Sequence, residues 1–407
     1  MVSISVVIPT YKAQEYICAC LDSLEVQGLS SWEAVVVVDG SPDDSAQVAR
    51  EYVRKDARIR VVDVPQNRGL HLTRMRGVQE SCGEYVVFLD PDDTLAPGFL
   101  GKLWDAITQA GKPDVMHYGI RLIAEDPGFE DLVAQFEEQS NRPFGELVGE
   151  QALLPAFERA GNYQRDFRVT QRAFRRELIA GAFNKMSQER LEGAEDSYEY
   201  LVIASQLGRE CTRNDLVGYM YHMGRGFTSS RPLTVGEFQK ILRSYQACVD
   251  AVRAYAARDG RACVARACDG LAYKLYETMG TYWNTRIADD DLAQAAHVFA
   301  QVCGVPAAAA QVARAGRDVA WKVYKGEAGK AAYHRAKRLE RLDRELVGDE
   351  KIPATHEYWE FESAFASHMA DIRHARERKR PTYVLRCGAR KLKGVVRRVY
   401  RGIRRRL

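Results

Sequence analysis

Short apolar runs and amphipathic stretches alternate through the first hundred residues. Ile4–Ile8, Ala34–Val38, Ile59–Val64 and Tyr85–Leu89 are rich in β-branched and aromatic residues and read as strands. Between them, Glu15–Glu25, Ser45–Lys55 and Gly69–Cys82 carry helix-like patterns, with Gly83 as a C-terminal stop. Val35–Val38 and Val86–Leu89 lack polar alternation, as strands covered on both faces do. Alternation of strand and helix predicts an α/β sheet with right-handed crossovers.

The pattern then loosens. Asp114–Leu122 reads as a further strand, followed by a polar, irregular stretch to about Arg168. Helical spacing returns at Arg172–Ala180 and Ala194–Leu207, and Val217–His222 is strand-like. From about Val235 only helices are expected, at 236–258, 262–286, 290–302, 306–345, 354–380 and 383–407. The reading is an α/β domain over 1–232, a helical domain over 233–380 and a basic amphipathic helix over 381–407.

Composition changes this picture little. In 407 residues, 46% hydrophobic and 10% aromatic content is enough for a sizeable core and excludes global disorder. No run approaches the length of a membrane span, and the strand-like start is no signal peptide. Nine scattered cysteines without a Cys-x-x-Cys pair point to a reduced, cytoplasmic protein. Charge is more informative. The net +4 divides into +13 on residues 376–407 and −9 on the rest. An acidic body with a basic tail suggests that the tail meets something anionic, although a solvated end has the same composition.

In an open α/β sheet, ligands bind beyond the carboxyl ends of the strands. Those ends carry Pro9-Thr10-Tyr11, the segment Asp39 to Ser45, Pro65 to Gly69, and Asp90-Pro91-Asp92-Asp93. Asp39, Asp43, Asp44, Asp90, Asp92 and Asp93 therefore crowd one edge, where carboxylates repel unless a cation neutralises them. A hard divalent ion such as Mg²⁺ or Mn²⁺ suits oxygen ligands of this kind. Turn formation and helix capping give the same residues a plainer role.

Four segments in order resemble the family 2 inverting glycosyltransferases. They are Val6-Val7-Ile8-Pro9-Thr10-Tyr11, Asp39-Gly40-Ser41-Pro42-Asp43, Asn67-Arg68-Gly69-Leu70 with Arg74, and Phe88-Leu89-Asp90-Pro91-Asp92-Asp93. The resemblance continues through Arg172 to Leu178, Gly193-Ala194-Glu195-Asp196 and Tyr219 to Ser229, about 230 residues in all. Departures are Val38 in place of a first acid before Asp39, Met75 after Arg74, and Ala194 inserted before Glu195. The resemblance implies the GT-A fold, a Rossmann-like and mostly parallel sheet domain, followed here by an all-α region.

It also implies chemistry. The implied donor is a sugar on a nucleoside diphosphate, with UDP the expected carrier, and the implied acceptor is a glycan or lipid-linked glycan of bacterial surface-polysaccharide assembly. Pro9, Thr10, Tyr11, Glu15, Asp39, Ser41, Asn67, Arg74, Asp90, Glu195, His222 and Arg225 fall in the donor-binding segments. Tyr11 is expected to stack on the base, Asp39 to accept from a base N–H, and Arg74 to support the base or a phosphate. Asp92 is the expected direct ligand of Mn²⁺ or Mg²⁺, with Asp90 contacting sugar, ribose or the metal shell. Asp196 is the expected catalytic base, at a helix start where the dipole favours the ionised form. Read as bare residues, Arg74 fits a surface helix position and His222 a strand end equally well.

Other chemistries find less support. Gly326 to Lys330 lacks the spacing of a phosphate loop, and no Gly-x-Gly-x-x-Gly follows the first strand. Without His-Glu-x-x-His a zinc hydrolase is not expected. A non-catalytic nucleotide- or glycan-binding scaffold and a nucleotidyltransferase remain as rivals. In the tail, residues 386–407 hold ten Lys/Arg and no acid, with Leu392, Val395, Val396, Val399 and Ile403 at helical spacing. This pattern suits the anionic inner face of a membrane. An acidic body with no known nucleic-acid module argues against nucleic acid.

Overall fold

A computed structural model describes residues 2–125, 130–158, 166–225, 231–348, 351–353 and 356–378. The first elements are β1 (Ile4–Thr10), α1 (Ile17–Glu25), β2 (Trp32–Asp39), α2 (Ser45–Lys55), β3 (Ile59–Val64), α3 (Leu70–Glu80) and β4 (Tyr85–Phe88). Next come β5 (Thr94–Leu95), α4 (Phe99–Gln109), β6 (Val115–Ala124), α5 (Glu130–Ser140), β7 (Glu146–Val148) and α6 (Glu150–Phe157). β8 (Arg172–Arg175), α7 (Arg176–Phe183), α8 (Glu195–Ala204) and β9 (Arg209–Met223) complete the strand-bearing part.

The sheet runs in the order β3-β2-β1-β4-β8-β6-β9-β5, with β7 also on β9. β3, β2, β1 and β4 are mutually parallel, whereas β8 runs antiparallel between β4 and β6. The apolar runs are explained by cover on both faces. Val6, Ile8, Val36 and Val38 join Leu21, Leu24, Leu100 and Leu103 in one core cluster. On the other face α3 lies so close to β1 that a Cβ on Gly77 would stand 2.2 Å from a methyl of Val7. Any larger residue there would push the helix off the sheet.

Three expectations need correction. Residues 172–175 are a strand, not the start of a helix over Arg172–Ala180. Val86 pairs with Phe174 and Val115 with Phe174, so this segment fills the gap between β4 and β6. Tertiary pairing thus overrides local helical spacing. The stretch expected to be irregular up to Arg168 holds α5, β7 and α6, too short or too polar to announce themselves. The single helix expected over 306–345 is two, α12 (Val305–Lys325) and α13 (Lys330–Val347), because Gly326 turns left-handed at φ +79°.

The remaining helices are α9 (Val235–Asp259), α10 (Ala262–Arg286), α11 (Leu292–Cys303) and α14 (Tyr358–Arg378). The chain divides into two compact units, one of Met1–Arg231 with Lys240–Met279, the other of Pro232–Gln239 with the chain from Gly280. Strands end before residue 232, while the first unit continues into α9 and α10. The expected helix over 383–407 lies outside the described residues. No helix among the described residues is long and apolar enough to cross a membrane.

Candidate functional site

β1 lies between β2 and β4, and the connections from this centre leave in opposite directions. Such a switch point opens a crevice at the carboxyl ends of the strands. On one side, the loops after β1 and β2 are stitched together. Ser41 Oγ accepts the Lys12 N–H at 2.8 Å and donates to Asp43 Oδ1 at 2.5 Å. Asp43 also accepts the Gln14 N–H at 3.2 Å and the Ser45 hydroxyl at 2.7 Å. This stitching fixes the backbone that follows Pro9 and the buried Thr10, and it leaves Tyr11 and Glu15 exposed.

Asp39, at the end of β2, is buried. Its Oδ1 accepts the Arg68 N–H and its Oδ2 the Gly69 N–H, both at 2.8 Å. Asn67 Nδ2 donates back to the Asp39 carbonyl at 3.2 Å. Gly40 makes this crossing possible, since a Cβ there would sit 2.5 Å from the Asn67 nitrogen and φ is +60°.

The centre of the crevice is a buried guanidinium. α3 supplies His71 and Arg74, one helical turn apart, and α8 supplies Glu195, Asp196 and Glu199. Arg74 is 3% exposed. Its Nη1 lies 3.1 Å from Glu199 Oε2 and 3.7 Å from Glu195 Oε1, and its Nη2 3.7 Å from Asp90 Oδ1. Glu199 is also held by His71, whose Nδ1 is 2.8 Å from Oε1 while Nε2 meets the Ser187 carbonyl at 2.9 Å. Burial draws the His71 pKa down, but the bond and charge of Glu199 outweigh it and the net direction is up.

Two consecutive left-handed residues, Gly193 at φ +78° and Ala194 at φ +63°, deliver the chain to α8. For alanine this conformation costs about 1–2 kcal/mol. Strain of this sort is tolerated where surrounding structure fixes it, as at functional sites. It sets Glu195 and Asp196 at the first turn of α8, where Asp196 Oδ1 accepts the Ser197 N–H at 2.8 Å.

Around Arg74 the carboxyls are reluctant acids. Burial pushes Asp90 up to about 6, against the pull of Arg74 and with the added repulsion of Asp92 and Asp196. Glu195 is pushed up to about 7 by burial, again opposed by Arg74 and helped by Asp196 and Glu199. Asp196 is raised by burial, with Arg74 pulling it down and Glu199 pushing it up. One guanidinium does not balance so many acids.

β5 pairs with β9 and so lays the Asp90–Asp93 turn along the end of β9. Asp93 accepts the Tyr219 hydroxyl at 2.7 Å and the His222 N–H at 2.8 Å, and burial raises its pKa to about 8. Glu125 gathers His222 Nδ1 at 2.6 Å and Arg225 Nη2 at 2.7 Å. Arg225 Nη1 donates to the Asp92 carbonyl at 3.1 Å. Among the described residues no side chain donates to the Asp92 carboxylate, whose pKa burial raises against the weaker pull of its own backbone N–H, Arg225 and His222. No group of three His, Cys, Asp or Glu side chains forms a ready metal cage among the described residues. The donor set still fits a hard divalent ion. Mg²⁺ is commonly held by one or two carboxylates and completed by substrate oxygens, and Asp92 and Asp90 provide that many.

The structure therefore gathers Asp90, Glu195 and Asp196 around Arg74, with Asp92, His222 and Arg225 at the rim of β9. Asp39, Ser41 and Asn67 organise the neighbouring loops. Sequence reading missed His71, Glu199, Glu125 and the Asp93–Tyr219 pair. His71 and Glu199 carried a signal in their spacing, three residues before Arg74 and four after Glu195, which places each on its partner's helix face. Glu125 carried none.

The family model described as Glycosyl transferase family 2 matches residues 5–173. EpsJ of Bacillus subtilis, described as an uncharacterized glycosyltransferase, is 37% identical over 106 residues, which is 26% of this chain and 30% of EpsJ. The teichoic acid poly(glycerol phosphate) polymerase of Staphylococcus epidermidis is 34% identical over 97 residues, 24% of this chain and 14% of that protein. In both cases the match spans less than a third of the relative's length. Among solved structures, S. aureus TarS 1-349 is similar with a TM-score of 0.53 at 16% identity, covering 90% of this chain and 91% of that one. The same protein in complex with UDP-GlcNAc is similar with a TM-score of 0.50 at 17% identity, covering 92% of each chain.

Proposed function

Because the chain belongs, through its N-terminal domain, to the family 2 glycosyltransferases, we propose that it moves a sugar from a UDP-sugar to a hydroxyl of a cell-envelope glycan, with inversion. The observation that carries this reading is the cluster of carboxylates, Asp90, Glu195 and Glu199, gathered within 3.7 Å of the buried Arg74 guanidinium at the switch point of the sheet. UDP-GlcNAc in the similar TarS fold and a teichoic acid polymerase among the relatives favour this donor and acceptor class.

In this reading Asp196 takes the proton of the acceptor hydroxyl as that oxygen bonds to the anomeric carbon. The bond from that carbon to the diphosphate breaks on the opposite face, and its electron pair leaves with the diphosphate. A raised pKa makes Asp196 a stronger base than an ordinary aspartate, and Arg74 keeps it ionised enough to act. Glu195 holds a sugar or acceptor hydroxyl. Tyr11 stacks on the base and Asp39 orders the loop that meets it. Arg225 and His222, gathered by Glu125, flank the diphosphate. Asp92, with Asp90 beside it, would hold Mg²⁺ or Mn²⁺, which neutralises charge on the departing diphosphate. The basic segment 386–407 would dock the enzyme on an anionic bilayer carrying lipid-linked acceptor.

Calorimetry with UDP, with and without Mn²⁺, tests the donor site. The wild-type chain is expected to bind UDP only with the metal, and Asp92→Ala to weaken that binding at least tenfold. If no nucleoside diphosphate binds in either condition, the transferase reading falls.

A further inference from the structure

Outside residues 376–407 the chain is acidic, yet one helix of the second compact unit carries a row of unbalanced positive charge. Lys330, His334, Lys337, Arg341 and Arg344 recur along α13 at intervals of four and three residues, which aligns them on one face. All five are exposed. The row extends over about 21 Å, with one of these side chains per turn.

The acids of α13 do not balance it. Glu340 pairs with Arg373 at 2.7 Å, and Asp343 is buried against Tyr358, whose hydroxyl donates to it at 3.1 Å. Glu345, exposed at the end of the row, pairs with none of it. Asp289 takes Arg335 and Arg338, beside the row, at 2.7 and 2.6 Å. Among the described residues no acid forms an ion pair with Lys330, Lys337, Arg341 or Arg344. Like charges at this spacing weaken a helix, and an anion lying along the row would relieve that repulsion.

The arrangement selects the occupant. Cations on successive turns suit a chain of regularly spaced anions rather than a single small one. They border an open trough of about 440 Å³, lined by His334, Lys337, Arg338, Glu340, Arg341 and Arg344, which a flexible chain can follow and a flat bilayer cannot enter. The exposed face of α13 has no large apolar side chain to insert among lipids, and no Phe, Tyr or Trp ring on which a nucleic-acid base could stack. The helical pitch of about 5.4 Å is close to the length of one sugar residue in an extended chain, so acidic sugars would meet one cation per residue.

We propose that the α13 row binds a linear polysaccharide built of acidic sugars. The choice of a glycan over other polyanions rests on the glycosyltransferase reading, but the row uses none of the residues assigned to the donor site.

Fluorescence anisotropy of a labelled galacturonate decamer with the full chain tests the proposal. Wild type is expected to bind it, more weakly as salt rises, and not to bind a labelled neutral maltose-type decamer. Lys337→Gln/Arg341→Gln/Arg344→Gln should lose at least tenfold in affinity, and Lys337→Arg/Arg341→Lys/Arg344→Lys should keep it. Arg54→Gln/Lys55→Gln/Lys102→Gln removes the same charge from exposed positions of the first unit and should leave binding unchanged. The basic segment 386–407 is present in every variant, so full binding by the first variant would assign the decamer to that segment and overturn the proposal. An equal loss in the charge-matched control would do the same. So would a loss of binding to double-stranded DNA or phosphatidylglycerol vesicles as large as the loss for galacturonate, which would make the row a general anion surface. UDP binding should be equal in all four proteins, so a failure of the transferase reading shows separately.

Discussion

Replacing Asp90 by Asn is expected to stabilise the free protein while disabling its site. Asp90 is raised to about 6 by burial, only partly relieved by Arg74 at 3.7 Å. Against an ordinary aspartate near 3.9, that is roughly two pKa units, or about 3 kcal/mol. The sign follows from linkage. A folded pKa above the unfolded one gives stability that is fully present below about pH 4 and lost as pH rises through the folded value. At pH 8 the ionised Asp90 therefore weighs against the fold. With 27% of the side chain exposed, solvent screening reduces the effect to about 1–3 kcal/mol. Asparagine keeps the shape without the charge. Urea unfolding at pH 8 with a chelator should place the Asp90→Asn midpoint higher, by on the order of 0.5–1 M. At pH 5, where Asp90 is mostly protonated, the gap should shrink. Mn²⁺ at pH 8 should raise the wild-type midpoint and leave the variant almost unmoved. A variant less stable than wild type at pH 8, or an equal gap at both pH values, would refute the account of the site as a cluster of unbalanced charge.

Two further outcomes follow from the same geometry. Asp196→Asn should lower kcat by about 10²–10⁴-fold, the range of a lost general base, with UDP affinity unchanged by calorimetry. Glu199→Gln leaves Arg74 and His71 without their shared anion and should cost about 3–5 kcal/mol in unfolding experiments. The His71 pKa is raised in the fold, so its share is present below about pH 6.5 and lost as pH rises through the folded value. The penalty should be larger at pH 6 than at pH 9.

Much of the site was legible because strand ends are legible. A strand of Val35–Val38 or Val86–Phe88 is visible in one dimension, and the residue after it must emerge at the sheet edge where ligands bind. Helix placement was equally plain for α2 and α3, which fall within the expected stretches 45–55 and 69–82. Segments whose structure depends on distant partners were read less well. β8 has helical spacing but becomes a strand because β4 and β6 offer it hydrogen bonds. Arg74 on its own reads as a surface helix position, yet it is the buried centre of the acid cluster.

Sequence by itself determined the α/β class, the order of the motifs and the types of residue available at each strand end. These depend on local patterning, which a single segment carries. Tertiary structure alone decided which of those residues share a charge environment. Arg74 and Glu199 are 125 positions apart, as Asp93 and Tyr219 are 126. Electrostatic coupling acts through space over a few ångströms, so the raised carboxyls exist only once the fold has brought α3, α8 and the ends of β4 and β9 together.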